Sequence, residues 1–201
     1  MTARISRRGL LLAVGAGAAG AAGGAVVASA RLSADAPNAA DIGFCIDMST
    51  HHVQAMAICQ RVLGRDTGDP VQAAASEVLQ TQSIEVGMMR AWLADWGEST
   101  GAPDTVMAWM GMNWGEGIPV DAMTGYVSDD EMRALSLAEG TESGRMWLEL
   151  MRAHHVGGVH MATAAGDLAD VEKVRRLART QVDVQTYEIE QYDLLLATEY
   201  A

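Results

Sequence analysis

The sequence predicts an all-α protein: a four-helix bundle built from two copies of one helical hairpin, joined by a long Gly/Met-rich crossover. Three observations point to it. Residues 48–53 (Met-Ser-Thr-His-His-Val) recur as 151–156 (Met-Arg-Ala-His-His-Val), an offset of 103 that continues without a gap. Under that offset Val71 falls on Val174, Ala75 on Ala178, Gln82 on Gln185 and Glu85 on Glu188, with Phe44 on Trp147 and Leu93 on Leu196. A constant offset over about fifty residues is the mark of an internal repeat. Each copy then divides into two long segments bounded by helix start and stop signals. Finally, 49% of the 201 residues are apolar and 20% charged, a composition that excludes a disordered or collagen-like chain.

The elements follow in order. Residues 1–30 are an address rather than part of the fold. Ser6-Arg7-Arg8-Gly9-Leu10-Leu11-Leu12 opens an uncharged run that ends at Ala28-Ser29-Ala30, an A-x-A cleavage site. The paired arginines before the apolar run have the form of a twin-arginine export signal. An uncleaved membrane anchor is the alternative, because the run from Gly9 to Ala30 reaches the ~20 residues a span requires. The working domain is then 41–199: repeat one at 41–96, crossover at 97–140, repeat two at 141–199. In repeat one a helix is expected from near Asp41 to Leu63, closed by Gly64. Asp69-Pro70 supplies an N-cap and a Pro at the first position of a helix reaching Trp96. Residues 97–127 carry Gly97, Gly101, Pro103, Gly111, Gly115, Gly117, Pro119 and Gly125, so they read as irregular. Ser128-Asp-Asp-Glu131 is a capping box for a short helix to about Ala138. Repeat two starts a helix near Thr141 that stops at Gly166, and Asp170 caps the last helix, which runs to about Thr198.

Charge narrows the partners. The whole chain carries 14 bases and 26 acids. Without residues 1–30, which hold three arginines and no acid, the remaining 171 residues carry a net −15. Such a surface repels nucleic acid and anionic lipid and attracts cations. No stable membrane insertion is expected once the signal is cleaved, and a homo-oligomer is left open. Cys45 and Cys59 fall on one helix about 21 Å apart, beyond disulfide reach.

The chemistry is concentrated in the repeated motif. All five histidines, His51, His52, His154, His155 and His160, lie in the two matched segments. Neighbouring helix positions differ by about 100°, so the rings of a doublet diverge: one can face the bundle centre and the other an adjacent helix. Met48 precedes His52 by four residues, Met151 precedes His155 by four, and Met161 follows His154 by seven. The stripe Cys45, Met48, His52, Met56, Cys59 becomes Leu148, Met151, His155, Val159, Ala162 in the second copy. The aliphatic replacements mark 45, 56 and 59 as core packing and leave the histidines with Met48 and Met151 as the shared chemistry. Imidazole with thioether is a soft-to-borderline ligand set that favours Cu(I) and accepts Cu(II) or Zn. Met107, Met110 and Met112 of the crossover, flanked by Trp109 and Trp114, read either as a hydrophobic flap or as an auxiliary soft-metal loop. Glu85 and Glu188 each follow the second histidine of their doublet by 33 residues. Each can accept a ring N–H and fix the orientation of that histidine, or else serve a helix end or a surface charge.

These residues resemble a known family. Met48-Ser-Thr-His51-His52-Val-Gln-Ala55, Gln82-x-x-Glu85, the central Gly-rich segment and Trp147-Leu-x-x-Met151-x-x-His154-His155 are similar to the ferritin-like bacterial family called domain of unknown function 305. The resemblance covers about 41–199. It implies a secreted or periplasmic four-helix domain, some of whose relatives are associated with copper binding and tolerance. By position it implies Met48, His51, His52, Met151, His154, His155 and Met161 as the functional residues. The family often places Phe-Asp before the second doublet helix. Here those positions are Ser143-Gly144, and the acid survives only in the first copy, as Asp41, a further candidate for holding a metal-bound histidine in place.

Three functions are weighed. The leading one is an exported soft-metal protein, with copper as Cu(I) for its ion, serving buffering, storage or tolerance. The alternative is a metal-free helical interaction module whose histidines form a buried seam. A ferritin-like di-iron oxidase is the third, but its usual Glu-x-x-His is nowhere in the sequence. No catalytic residue is assigned.

Overall fold

The computed structural model describes residues 36–111 and 115–201. The segment read as an export signal lies outside the described residues, as do Met112 and Trp114 of the crossover. The chain is mainly helical, with four long helices and one short one: α1 (Ala39–Gln60), α2 (Asp69–Trp96), α3 (Asp129–Leu137), α4 (Gly140–Leu168) and α5 (Glu172–Ala197). Among the described residues no helix is long and apolar enough to cross a membrane.

Local chemistry sets the ends. Asn38 caps α1: its side chain accepts the N–H groups of Ala40 and Asp41, while the Asp41 carboxylate accepts the N–H of Asn38 at 2.8 Å. The helix therefore starts two residues before Asp41, and it ends at Gln60, where turns through Gly64 (φ 75°) replace the expected last residues. Gly68, not Asp69, holds the N-cap position of α2, and Gly97 in the left-handed region closes it. Ser128 and Glu131 form the expected capping box of α3. Two expectations in the second copy are corrected. Gly166 does not stop α4, which continues to Leu168; a glycine inside a helix costs only about 1 kcal/mol, which packing absorbs. Asp170 does not cap α5. Val171 holds its N-cap position without a side-chain cap, and the Asp41 carboxylate instead holds the turn before it, accepting the N–H groups of Asp170 at 3.1 Å and Val171 at 3.0 Å.

α1 packs along α2, α4 packs along α5, and α1 crosses α4 at the centre, whereas the outer helices α2 and α5 meet through side chains, such as Lys173 over the Trp92 and Trp96 rings, rather than by close approach of their backbones. Two apolar clusters order these contacts. One joins Phe44, Cys45 and Met48 of α1 to Met161, Ala162 and Ala165 of α4; the other joins Ala55, Ile58 and Cys59 to Trp147, Leu148 and Met151. The order along α1 is reversed along α4, so the two helices run antiparallel, and both histidine doublets fall in the layer between the clusters.

The crossover lies against this layer. It contains a two-residue antiparallel ladder, Thr105–Val106 with Ile118–Pro119, and two short 3-10 turns. Two α1 side chains anchor it. Asp47 accepts the N–H of Met107 at 2.6 Å and the indole N–H of Trp109 at 2.8 Å. Gln54 makes two bonds to the backbone of Val127, donating to its carbonyl at 3.0 Å and accepting its N–H at 3.1 Å. Gly157 of α4 leaves room for the Thr124 carbonyl, which a Cβ there would strike, and Gly125 (φ 75°) lies against Ala153 and His154 for the same reason.

Candidate metal centre

The two doublets meet where α1 crosses α4. His51 and His154 stack, with ring centroids 3.6 Å apart and planes inclined by 31°. His52 and His155 diverge from them, each ring about 6 Å from its doublet neighbour, and reach the outer helices. His52 Nε2 lies 2.7 Å from Glu85 Oε2, and His155 Nε2 lies 2.9 Å from Glu188 Oε2. The divergence follows from the 100° step between adjacent helix positions. All four side chains are completely buried.

The electrostatics of the two pairs differ. Burial holds the pKa of His51 and His154 well below 6.5, and the neighbouring imidazoles add to the effect. Both rings are therefore neutral at pH 7. Neither nitrogen of either ring has a hydrogen-bond partner of ordinary geometry; each ring faces the main chain of the other histidine. His52 and His155 have one partnered nitrogen each, the Nε2 that meets glutamate, while Nδ1 is buried and unpartnered. A carboxylate on Nε2 fits the tautomer with its proton there, which leaves the Nδ1 lone pair available. Gln181 fixes one carboxylate further, donating to Glu85 Oε2 at 2.8 Å. Tyr192 sets its ring edge-on to His155, with centroids 5.6 Å apart.

The remaining sequence candidates are distributed around this layer. Met48 and Met161 are buried together in one apolar cluster, which also holds Met89, Met107 and Met123, and Met151 lies in the other. Met48 and Met151 thus face opposite clusters and do not converge. Asp41 is removed from the histidines altogether, its carboxylate committed to the starts of α1 and α5. Cys45 and Cys59 are free and buried, and burial pushes both thiols up to about 12, so they are not thiolates at neutral pH. Among the described residues no three His, Cys, Asp or Glu side chains are gathered so as to hold a metal ion.

Sequence reasoning missed Gln181, Asp47 and Gln54. Their positions in the other copy are Val78, Leu150 and Gly157, so a search for matched residues passes over them. Asp47 is nonetheless distinctive: burial raises its carboxyl to about 6 against two N–H bonds that pull it down.

No protein of curated function matches the chain. A solved structure described as a putative secreted protein DUF305 from Streptomyces coelicolor is 38% identical, covering 79% of this chain and 92% of its own, with a TM-score of 0.71. A DUF305 fragment from Deinococcus radiodurans is 28% identical over 80% of this chain and 97% of its own, with a TM-score of 0.66. The fold is also that of CopM in its Cu(I)-bound form, at 19% identity, 80% and 98% coverage and a TM-score of 0.62. Residues 41–196 match one family over nearly all of the described fold, and the chain belongs to it: the domain of unknown function DUF305.

Proposed function

We propose that the protein is an exported binder of a soft metal ion, copper above all, and that the imidazoles of His51, His52, His154 and His155 take the ion at the crossing of α1 and α4. One observation carries this reading: six imidazole nitrogens are buried in one layer with no hydrogen-bond partner of ordinary geometry. Burying such atoms unpaired costs about 1–3 kcal/mol each, and a metal ion would offset that cost. The donors suit the ion in kind. Burial keeps two rings neutral, and Glu85 and Glu188 orient the other two with Nδ1 free. Met48, Met151 and Met161 supply thioethers in the flanking clusters, and soft donors favour Cu(I). Because the His51 and His154 rings stack in contact, capture requires them to part. The CopM structures, with copper or silver bound, share the fold and lend support. The relative described as a putative secreted protein supports export, as does the signal-like segment at residues 1–30. We read the domain as a duplicated-hairpin, ferritin-like bundle whose symmetry brings the two doublets together.

A competition titration against a Cu(I) chelator tests the reading. The wild-type chain is expected to withdraw copper, and the quadruple His→Ala variant to lose at least a hundredfold in affinity. Equal affinity in the two proteins would sink the proposal. The second reading, a metal-free histidine seam, is favoured by the two His–Glu contacts, which satisfy one nitrogen of each outer ring without any ion. It expects no copper withdrawal by either protein.

A further inference from the structure

One short turn of the crossover closes the imidazole layer on its solvent side. Met123 is buried in one apolar cluster and Val127 in the other, so Thr124, Gly125 and Tyr126 bridge the histidine layer that lies between the clusters. Thr124 is exposed, yet its carbonyl rests on Gly157 of α4. A Cβ on Gly157 would strike that carbonyl and stand 3.5 Å from His51 Nε2, so one point touches both the turn and the inner ring. Gly125 fits as closely against the backbone of Ala153 and His154. The other sides of the layer are closed by the two apolar clusters and by α2 and α5, whose Glu85 and Glu188 hold the outer rings.

One side chain fastens the turn. Gln54 donates to the Val127 carbonyl at 3.0 Å and accepts its N–H at 3.1 Å. Among the described residues these are the only side-chain hydrogen bonds made to the backbone of residues 123–127. Gln54 follows His51 by three residues on the same face of α1, beside the ring that the turn covers. We infer that Gln54 is the latch of this turn, and that the turn is the door through which the buried pair His51 and His154 is reached. Lifting it exchanges two neutral hydrogen bonds for bonds to water and leaves Met123 and Val127 in their clusters, whereas parting α1 from α4 would break both clusters. As the route of a metal ion, the door rests on the reading proposed above. It sets how fast an ion enters and leaves. It does not set how tightly the ion is held, because the Gln54 bonds are made to the turn and not to a ring.

Carbethoxylation of histidine by diethyl pyrocarbonate, located by peptide fragmentation in the mass spectrometer, tests the door on the metal-free full chain. Exposed His160 is the internal reference. Gln54→Leu removes the latch, and Gly157→Ala pushes the turn away with its Cβ. In each variant His51 and His154 are expected to react at least fivefold faster than in wild type, relative to His160, while His52 and His155 keep their wild-type rates. Should Gly157→Ala fail to fold, Gln54→Leu decides alone. Unchanged rates at the inner pair in the folded variants, or outer rings that quicken in step with it, overturn the inference. Stopped-flow transfer of Cu(I) from a chelator then follows the ion. Gln54→Leu is expected to take up and release copper at least fivefold faster, with its equilibrium affinity within twofold of wild type; uptake no faster than wild type overturns the door as the ion's route. A wild type that takes no copper, while the inner pair still reacts faster in Gln54→Leu, removes the metal reading and leaves the door standing.

Discussion

His51 and His154 are kept neutral by burial, which fixes the sign of their pH dependence. In the unfolded chain an imidazole titrates near 6.5; in the fold these two titrate well below it. Between those values the unfolded chain binds more protons, so stability rises with pH across the interval. The pair exacts no penalty above pH ~6.5 and a growing one below it. Urea unfolding at pH 7.5 and 5.5 is expected to show a clear loss of stability in the wild type. His51→Leu/His154→Leu should lose markedly less between the same two values, and an equal loss would remove these rings as the cause. The same lowering means that protons compete with a metal for this pair only at pH values below the 6.5 that an exposed imidazole would suggest. At this scale the sequence is informative where a residue is repeated. The 33-residue spacing of Glu85 and Glu188 from their histidines is matched by contacts of 2.7 and 2.9 Å. It is silent where only one copy carries the group. Gln181 stands opposite a valine position, and Asp47 opposite a leucine, so no self-comparison could raise them.

At the scale of the element, Asp41 shows how a side chain can be assigned to the wrong neighbourhood. The family pattern suggests an acid that holds a metal-bound histidine in place, but its carboxylate accepts three backbone N–H groups, from Asn38, Asp170 and Val171. It therefore ties the start of α1 to the start of α5 across 129 residues of chain. Asp41→Ala is expected to cost about 1–2 kcal/mol in chemical denaturation, because the capping box of α1 and the tie to the turn before α5 are both lost. Copper affinity should be far less affected than by loss of the histidines. Helix starts marked by side chains, such as Ser128 with Glu131, are legible in the sequence because the cap is local. The turn that leads into α5 is not, because the carboxylate that holds its backbone comes from another part of the chain. Glycines divide in the same way. Gly87 lies inside α2 with open space where a Cβ would stand, so Gly87→Ala should stabilise by about 0.5–1 kcal/mol through helix propensity. Gly157 lies inside α4 against the Thr124 carbonyl, so Gly157→Ala must push the crossover off the histidine layer. A loss of about 1–3 kcal/mol is expected there, as for other overpacked sites. Thermal melts of the two variants beside wild type check both, and the same sign of shift in both would refute the distinction.

At the scale of the whole molecule, a histidine doublet stands on each of two antiparallel helices, and their crossing places both doublets in one layer between two apolar clusters. The helical class is legible in the sequence from helix start and stop signals such as the Ser128–Glu131 capping box. The stacking of His51 on His154 is not, because it depends on the register of two helices about a hundred residues apart. An ion held by both doublets would bridge helices from the two halves of the chain, and it could not be retained once they separate. Such a ligand stabilises the folded state by an amount set by mass action, about 2.7 kcal/mol at a free concentration one hundred times the dissociation constant. For a domain of this size 1 kcal/mol moves the midpoint by roughly 2–4 °C. Cu(I), buffered under reducing conditions at that excess, is therefore expected to raise the melting temperature by about 5–10 °C. The shift should vanish in the quadruple His→Ala variant and shrink in Glu85→Gln/Glu188→Gln, whose outer rings lose the carboxylates that orient them. A histidine seam that takes no metal predicts instead that the wild-type midpoint is unmoved by copper at any concentration that leaves the protein soluble. Melting curves across a copper series therefore separate the two readings on the wild-type chain alone.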